Sequence, residues 1–301
     1  VGSRSEVPVY PTLLVMLALD HRDDSVLDAV VAGAAAFGCQ RIVLAHVFNV
    51  DPLHAPLAEV FQPDDYTSPP ELDLAAERLA AALPDVDVAT TCVTGVPEAE
   101  IAALVEEHDV DLVVLGRNKA DGDKAGWGSS GNKQLRLVPC SAMVVPHGSR
   151  LDLSRAVVGL DFSACSKLAM QAADRLTDHV VAVYHFNLPR AKRNTLRNDE
   201  LVERVRAAAQ AHLETGVLPL LGADDAPELR VVGTGKVADA LIDAAGDALL
   251  IVGSRGITPV AYLLLGSAAN RVAARAAGPV LIVREKGAPA AGLLERMVSR
   301  R

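Results

Sequence analysis

The sequence predicts an α/β fold built twice in tandem: two doubly wound domains, each around a five-stranded parallel sheet. Three observations carry this. Short runs of Val, Ile and Leu lack the apolar–polar alternation of half-buried strands, as expected for strands covered on both faces. Ala-rich amphipathic segments stand between them, so each half reads β-α-β-α-β-α-β-α-β. Five segments of the first half also recur, in the same order, in the second.

The repeats place most of the elements. TLLVMLALD (12–20) is echoed by AVVGLD (156–161), and RIVLAHVF (41–48) by HVVAVYHF (179–186). DVDLVVLG (109–116) is echoed by GDALLIVG (246–253), GSSGNKQL (128–135) by GSAANRVA (266–273), and CSAMVV (140–145) by GPVLIV (278–283). Between the first two strands, SVLDAVVAGAAAFG (25–38) reads as a helix stopped by Gly38. PEAEIAALVEEH (97–108) opens with Pro in a first-turn position and acids behind it. CSKLAMQAADRL (165–176) follows Ser163, a natural N-cap. The Pro-, Gly- and Ser-bearing PHGSRLDLS (146–154) reads as the linker, dividing the chain into a first domain over 1–148, a second over 149–286 and a tail over 287–301. The last strands, SAMVV (141–145) and PVLIV (279–283), would each leave an apolar edge, so they are expected to pair with one another.

Composition narrows the function. A chain of 301 residues has room for two domains, at roughly 100–200 residues each, with a proper core in both. A net charge of −9 and 3% aromatic residues argue against nucleic-acid binding, which calls on cations and exposed rings. Cys39, Cys92, Cys140 and Cys165 form no CxxC pair and fall in or beside apolar runs, so they read as reduced core residues. The apolar TLLVMLAL (12–19) is too short to cross a membrane. With no leader legible either, a cytoplasmic protein without a membrane partner is expected.

The chemistry concentrates in IVGSRGITPVAYLLLGSAANRV (251–272). Gly253 ends a strand, Gly256 follows it, and Gly266-Ser267 opens a helix. Glycines let main-chain N–H groups approach an anion, Ser267 adds a hydroxyl, and a helix N-terminus adds free N–H groups and partial positive charge. Together they describe a phosphate site at the carboxyl end of a parallel strand, where doubly wound sheets bind ligands. Any one of the glycines alone reads as a turn residue, and it is the three together with Ser267 that point to an anion. GTGKV (233–237) is not a P-loop, because Val237 stands where Ser or Thr is needed. There is no G-x-S-x-G nucleophile elbow. His46 and His185 occupy matching strand ends and read as structural, and the basic PRAKRN (189–194) reads as a solvated loop.

The spacing G-x2-G-x9-G-[ST], met by Gly253, Gly256, Gly266 and Ser267, resembles the ATP-binding signature of the universal stress protein family. VGLDFSACSKLAMQAA (158–173) and the VYHF strand end (183–186) also fit. The resemblance covers nearly the whole chain as two family domains. It implies an adenine nucleotide alpha hydrolase-like fold, adenine nucleotide binding, dimer-like pairing of the domains, and a regulatory role in stress survival. ATP, with or without Mg2+, is the implied ligand. Gly253, Gly256, Gly266 and Ser267 match the family's phosphate loop, with Ala268 adding a main-chain N–H. Asp161 matches an acid near the ribose or a phosphate-bound Mg2+, and reads equally as a cap of the turn that follows it. Phe186 falls where the family's second strand meets the adenine through its backbone. Arg255 either screens phosphate charge or is a solvated loop residue.

The first half departs from this pattern. Gly116 is kept, but Lys119 replaces the second glycine, and Gly128-Ser129 arrives one residue early. Asp121 and Asp123 stand where phosphates would arrive. Residues 1–148 hold 22 acids and 9 bases, whereas residues 149–301 hold 16 acids and 20 bases. One nucleotide site, in the second half, is therefore expected. No positioned general base is legible, so an enzyme is not expected, beyond slow ATP hydrolysis. The alternative is a structural or interaction protein that uses the duplicated fold without loading nucleotide. Pairing is expected as a pseudo-twofold dimer within one chain, or as a homodimer.

Overall fold

A computed structural model describes residues 9–49, 69–117, 134–186, 198–222, 226–255 and 265–285. The first half contributes β1 (Thr12–Met16), α1 (Asp23–Phe37), β2 (Arg41–Asn49), α2 (Pro70–Ala82), β3 (Asp87–Gly95), α3 (Pro97–Glu107), β4 (Leu112–Arg117) and β5 (Ser141–Pro146). The second contributes β6 (Arg155–Leu160), α4 (Ala164–Leu176), β7 (His179–His185), α5 (Asn198–Gly216), β8 (Glu228–Val232), α6 (Val237–Ala245), β9 (Leu249–Gly253), α7 (Ser267–Arg275) and β10 (Val280–Val283).

Local chemistry sets these boundaries where the sequence places them. Gly38 ends α1 at φ 66°, a left-handed conformation that a side chain resists. The Ser163 hydroxyl accepts from the Ser166 N–H (3.2 Å) and caps α4. Pro97 opens α3, where its missing N–H costs no hydrogen bond.

The ten strands form one sheet in the order β3-β2-β1-β4-β5-β10-β9-β6-β7-β8. Each half is parallel throughout. The halves meet at one antiparallel pair, with Val280 opposite Val144, Leu281 opposite Met143 and Ile282 opposite Ala142. The last strands thus cover one another's edges, and two five-stranded halves become one continuous sheet.

Successive strand residues face opposite layers. Leu13, Val15, Val158 and Ile251 join one core with α1, α2, α4 and α5. Leu14, Val43, Val157 and Leu250 join the other with α3, α6 and α7. Central strands β4, β5 and β10 are buried nearly end to end, which is why their sequences are apolar without alternation. Cys140 is buried, whereas Cys39, Cys92 and Cys165 are only half-buried; none is in a disulfide.

Two arginines that sequence reading did not single out fasten the halves together. Arg117, at the end of β4, is buried and donates to the carbonyls of Ala274 (3.1 Å) and Ala276, at the C-terminus of α7. Arg284, just past β10, donates to the carbonyls of Leu135 (2.8 Å) and Val138, around the helical turn at residues 134–137. The repeat offset of 138 relates Val138 to Ala276, so equivalent helix ends are held by arginines from the opposite half. A cation there suits the carbonyls that a helix C-terminus leaves without intrahelical partners. Burial pulls both guanidinium groups down to about 10.

Candidate functional site

The carboxyl ends of β6, β7 and β9 open onto a cavity of about 700 Å³. That volume falls within the range of about 300–1,000 Å³ usual for small-molecule sites. Asp161, Gly253, Arg255, Gly266, Ser267 and Ala268 all line it. Gly256 lies outside the described residues, as do Lys119, Asp121, Asp123, Gly128 and Ser129 of the first half, residues 189–194 and the tail.

The glycines have structural reasons that the spacing alone does not reveal. At residue 253 a Cβ would lie 2.7 Å from the Cys165 carbonyl carbon, so Gly253 lets the first turn of α4 rest on the end of β9. At residue 266 a Cβ would lie 3.3 Å from the Ser254 carbonyl oxygen, and φ is an ordinary −57°. The Gly266 N–H donates to that same carbonyl (2.8 Å). It therefore pins the helix entrance to the end of β9 and is not turned toward the cavity. The groups left for an anion are the next ones: no described side chain caps α7, and the N–H groups of Ser267 and Ala268 have no acceptor within the helix.

Asp161 acts as a turn cap and as a wall. Its Oδ1 accepts from the Ser163 N–H (3.0 Å), and its own N–H donates to the Ser166 hydroxyl (3.3 Å). Between them, Phe162 adopts φ 62°, a left-handed conformation that is costly for a non-glycine residue. Its ring packs beside Tyr184 and His212, with centroids 5.3 and 5.4 Å away. Phe186 is not on the cavity wall. Its N–H donates to the Val232 carbonyl (3.0 Å), and its ring lies against Gly233, where a Cβ would be 2.6 Å away. His185 lines the cavity instead; its Nε2–H donates to the Thr234 carbonyl (3.2 Å). Sequence reading also missed Ser166, Val237, Leu241 and Arg136 on the wall. Arg136 belongs to the first half, and no local signal announces its place.

The first half carries a smaller hollow at the matching strand ends, about 200 Å³, lined by Arg22, Asp23, His46 and Gly116 among others. Here the loop after β1 is filled from within. The Asp23 carboxylate accepts from the N–H groups of Ala18 (3.0 Å), Leu19 (2.7 Å) and Asp20 (3.2 Å). Burial pushes the Asp23 carboxyl up, while these donors pull it down. Asp20 is turned toward Arg22, whose Nε donates to both its oxygens (2.7 and 2.8 Å). His46 Nδ1–H donates to the Leu17 carbonyl (2.9 Å), a structural role. Among the described residues no group of three or more His, Cys, Asp and Glu is placed to hold a metal ion. No described helix is long and apolar enough to cross a membrane.

Fold and site together define a tandem α/β protein with a ligand-sized cavity at the carboxyl ends of its second parallel array, faced by an uncapped helix. The sequence pattern of the universal stress protein family matches residues 10–146 and again residues 153–284. The chain belongs to that family, with two family domains in tandem, and so to the proteins of the stress response. Its fold is similar to the crystal structure of a universal stress protein from Archaeoglobus fulgidus DSM 4304, at TM-score 0.62 and 18% identity over 91% of this chain and 98% of that one. It is similar also to a functionally unknown protein from Pseudomonas aeruginosa PAO1, at TM-score 0.60 and 14% identity over 97% and 98% of the two chains. No protein of curated function resembles the chain closely enough in sequence to count as a relative.

Proposed function

We propose that the second domain binds one adenine nucleotide, ATP with or without Mg2+, and that the chain acts as a cytoplasmic regulatory module of the stress response. The observation that carries this reading is the N-terminus of α7, capped by no described side chain, facing a 700 Å³ cavity that Val183, Val237 and Leu241 also line. Phosphates suit the free N–H groups of Ser267 and Ala268 and the charge of Arg255. A flat, weakly polar base suits Val183, Val237 and Leu241. Asp161 is placed to accept from a ribose hydroxyl, or to meet a phosphate-bound Mg2+. The palindromic strand order supports reading the chain as a pseudo-twofold dimer in one polypeptide.

The first domain reads as a scaffold. Its hollow is below the usual ligand range, and its loop N–H groups are already engaged by Asp23. The test is calorimetric titration with Mg2+-ATP, with mass spectrometry of any nucleotide that accompanies the purified protein. A stoichiometry near one, abolished by Gly256→Val, is the expected result. A folded protein that neither carries nor takes up nucleotide overturns the reading in favour of a structural role. Two equivalent sites overturn the assignment to one half.

A further inference from the structure

The antiparallel junction has a chemical consequence for the cavity. Pairing β5 against β10 brings the N-terminal end of β5, and the helical turn at residues 134–137 before it, to the C-terminal end of β10. That end abuts the end of β9, where the Ser254 N–H donates to the Val283 carbonyl (3.0 Å) and the Ser254 carbonyl receives the Gly266 N–H. Arg136 of the first domain thereby becomes part of the wall of the second domain's cavity. The exposed Arg136 side chain leaves its backbone tethered beneath it, where Arg284 holds the flanking carbonyls of Leu135 and Val138.

Guanidinium groups from both domains thus meet at the cavity. Arg136 and Arg255 line it, and Arg284 lies close enough to Arg255 for the charges to repel and lower the Arg284 pKa, although burial is the larger cause. The lining also holds the start of α7, whereas Val183, Val237 and Leu241 make the wall toward β6 and β7. The cationic residues of the lining thus lie toward β9 and β10, whereas the ends of β6 and β7 bring Asp161 and His185 beside apolar residues. Gathered like charges repel, and an anion between them relieves the repulsion. The arrangement is not repeated in the first half, because the repeat offset that carries Arg136 into the second half lands on Ala274.

We propose that Arg136 is a specificity residue supplied by the first domain to the second domain's ligand, one that favours ligands with more phosphate charge. Resting on the nucleotide reading above, this makes the site bipartite: a nucleoside triphosphate gains from Arg136 and a nucleoside monophosphate does not. It also gives the otherwise filled first domain a part in recognition.

The experiment compares wild type, Arg136→Gln and Arg136→Lys by titration with Mg2+-ATP, AMP and inorganic tripolyphosphate at low and moderate salt. Loss of one charge-assisted contact predicts that Arg136→Gln weakens ATP and tripolyphosphate about tenfold and AMP less than about twofold. Arg136→Lys recovers most of the loss, and the difference shrinks as salt screens the charge. Equal weakening of ATP and AMP, or no weakening of ATP, overturns the proposal. If wild type binds tripolyphosphate through Arg136 but neither nucleotide, the nucleotide reading falls and the cation's role stands. If it binds none of the three, both fall.

Discussion

Gly253→Ala isolates a structural cause that the motif conceals. The added Cβ would sit 2.7 Å from the carbonyl carbon of Cys165 and 2.8 Å from its Cβ and its carbonyl oxygen. Ordinary contact begins at 3.4 Å, so α4 has to retreat from β9 by about 0.7 Å. These obstacles lie on the backbone or next to it, so no rotamer change removes them. Ala169, Met170, Ala173 and Leu176 fix the same helix in the core, each at 2% exposure or less. Overpacking of this kind costs about 1–3 kcal/mol. At about 2–4 °C per kcal/mol for a chain of this size, the Tm falls by about 2–12 °C. The retreat also displaces Ser166, and with it the Asp161 loop, so affinity for Mg2+-ATP falls with stability. Gly266→Ala is the control: its Cβ meets only the Ser254 carbonyl, at 3.3 Å, with φ at −57°, and the cost stays below about 1 kcal/mol. Thermal melts of both variants, with calorimetric titration, decide the matter. If Gly253→Ala melts within about 1 °C of wild type, or the two variants lose equal stability, the packing argument is wrong.

Three other outcomes follow from the same geometry. Arg284→Met removes the donors to Leu135 and Val138 and leaves part-buried carbonyls unpaired, at a cost of about 2–4 kcal/mol; since that contact joins the halves, denaturant unfolding is expected to split from one transition toward two. Asp23→Ala strands the N–H groups of Ala18, Leu19 and Asp20, lowers stability by about 2 kcal/mol in urea titrations, and leaves ATP stoichiometry unchanged. Asp20 is held below the usual carboxylate range chiefly by its hydrogen bond from Arg22. Its contribution is therefore present above the unfolded pKa of 3.8 and is lost as pH falls through the lower folded value. With both side chains about a third exposed, that contribution stays below about 1 kcal/mol, and Asp20→Asn should flatten the acid limb of stability against pH by no more than this.

Much of the fold was legible because it rests on local regularities. A strand covered on both faces has to be continuously apolar, so β1, β4, β5, β6, β9 and β10 announce themselves. Gly38, Pro97 and Ser163 mark helix ends through φ, a missing N–H and a capping hydroxyl, all properties of one residue and its near neighbours. The outer strands β3 and β8 are barely readable by the same rule, since they are covered on fewer sides and carry mixed residues. The site was half legible. Spacing brought Gly253, Gly266, Ser267 and Asp161 to one cavity, but it could not tell that Gly253 is there for packing. At the end of β7 the Phe186 ring faces Gly233, while His185, one residue earlier, lines the cavity, a side-chain placement that the spacing did not reveal.

By itself, then, the sequence determined the tandem duplication, the parallel strand runs, the glycine–serine entrance to α7 and the acidic bias of the first half. These are periodicities and counts that survive without knowing any long-range contact. Only the tertiary structure decided which groups answer one another across the junction. Arg117 reaches Ala274 and Ala276, Arg284 reaches Leu135 and Val138, and Arg136 enters a cavity of the other domain. The physical reason is the single antiparallel pair of β5 and β10. It turns one half end for end against the other, so each half's terminal helix meets the opposite half's strand ends, more than a hundred residues away along the chain.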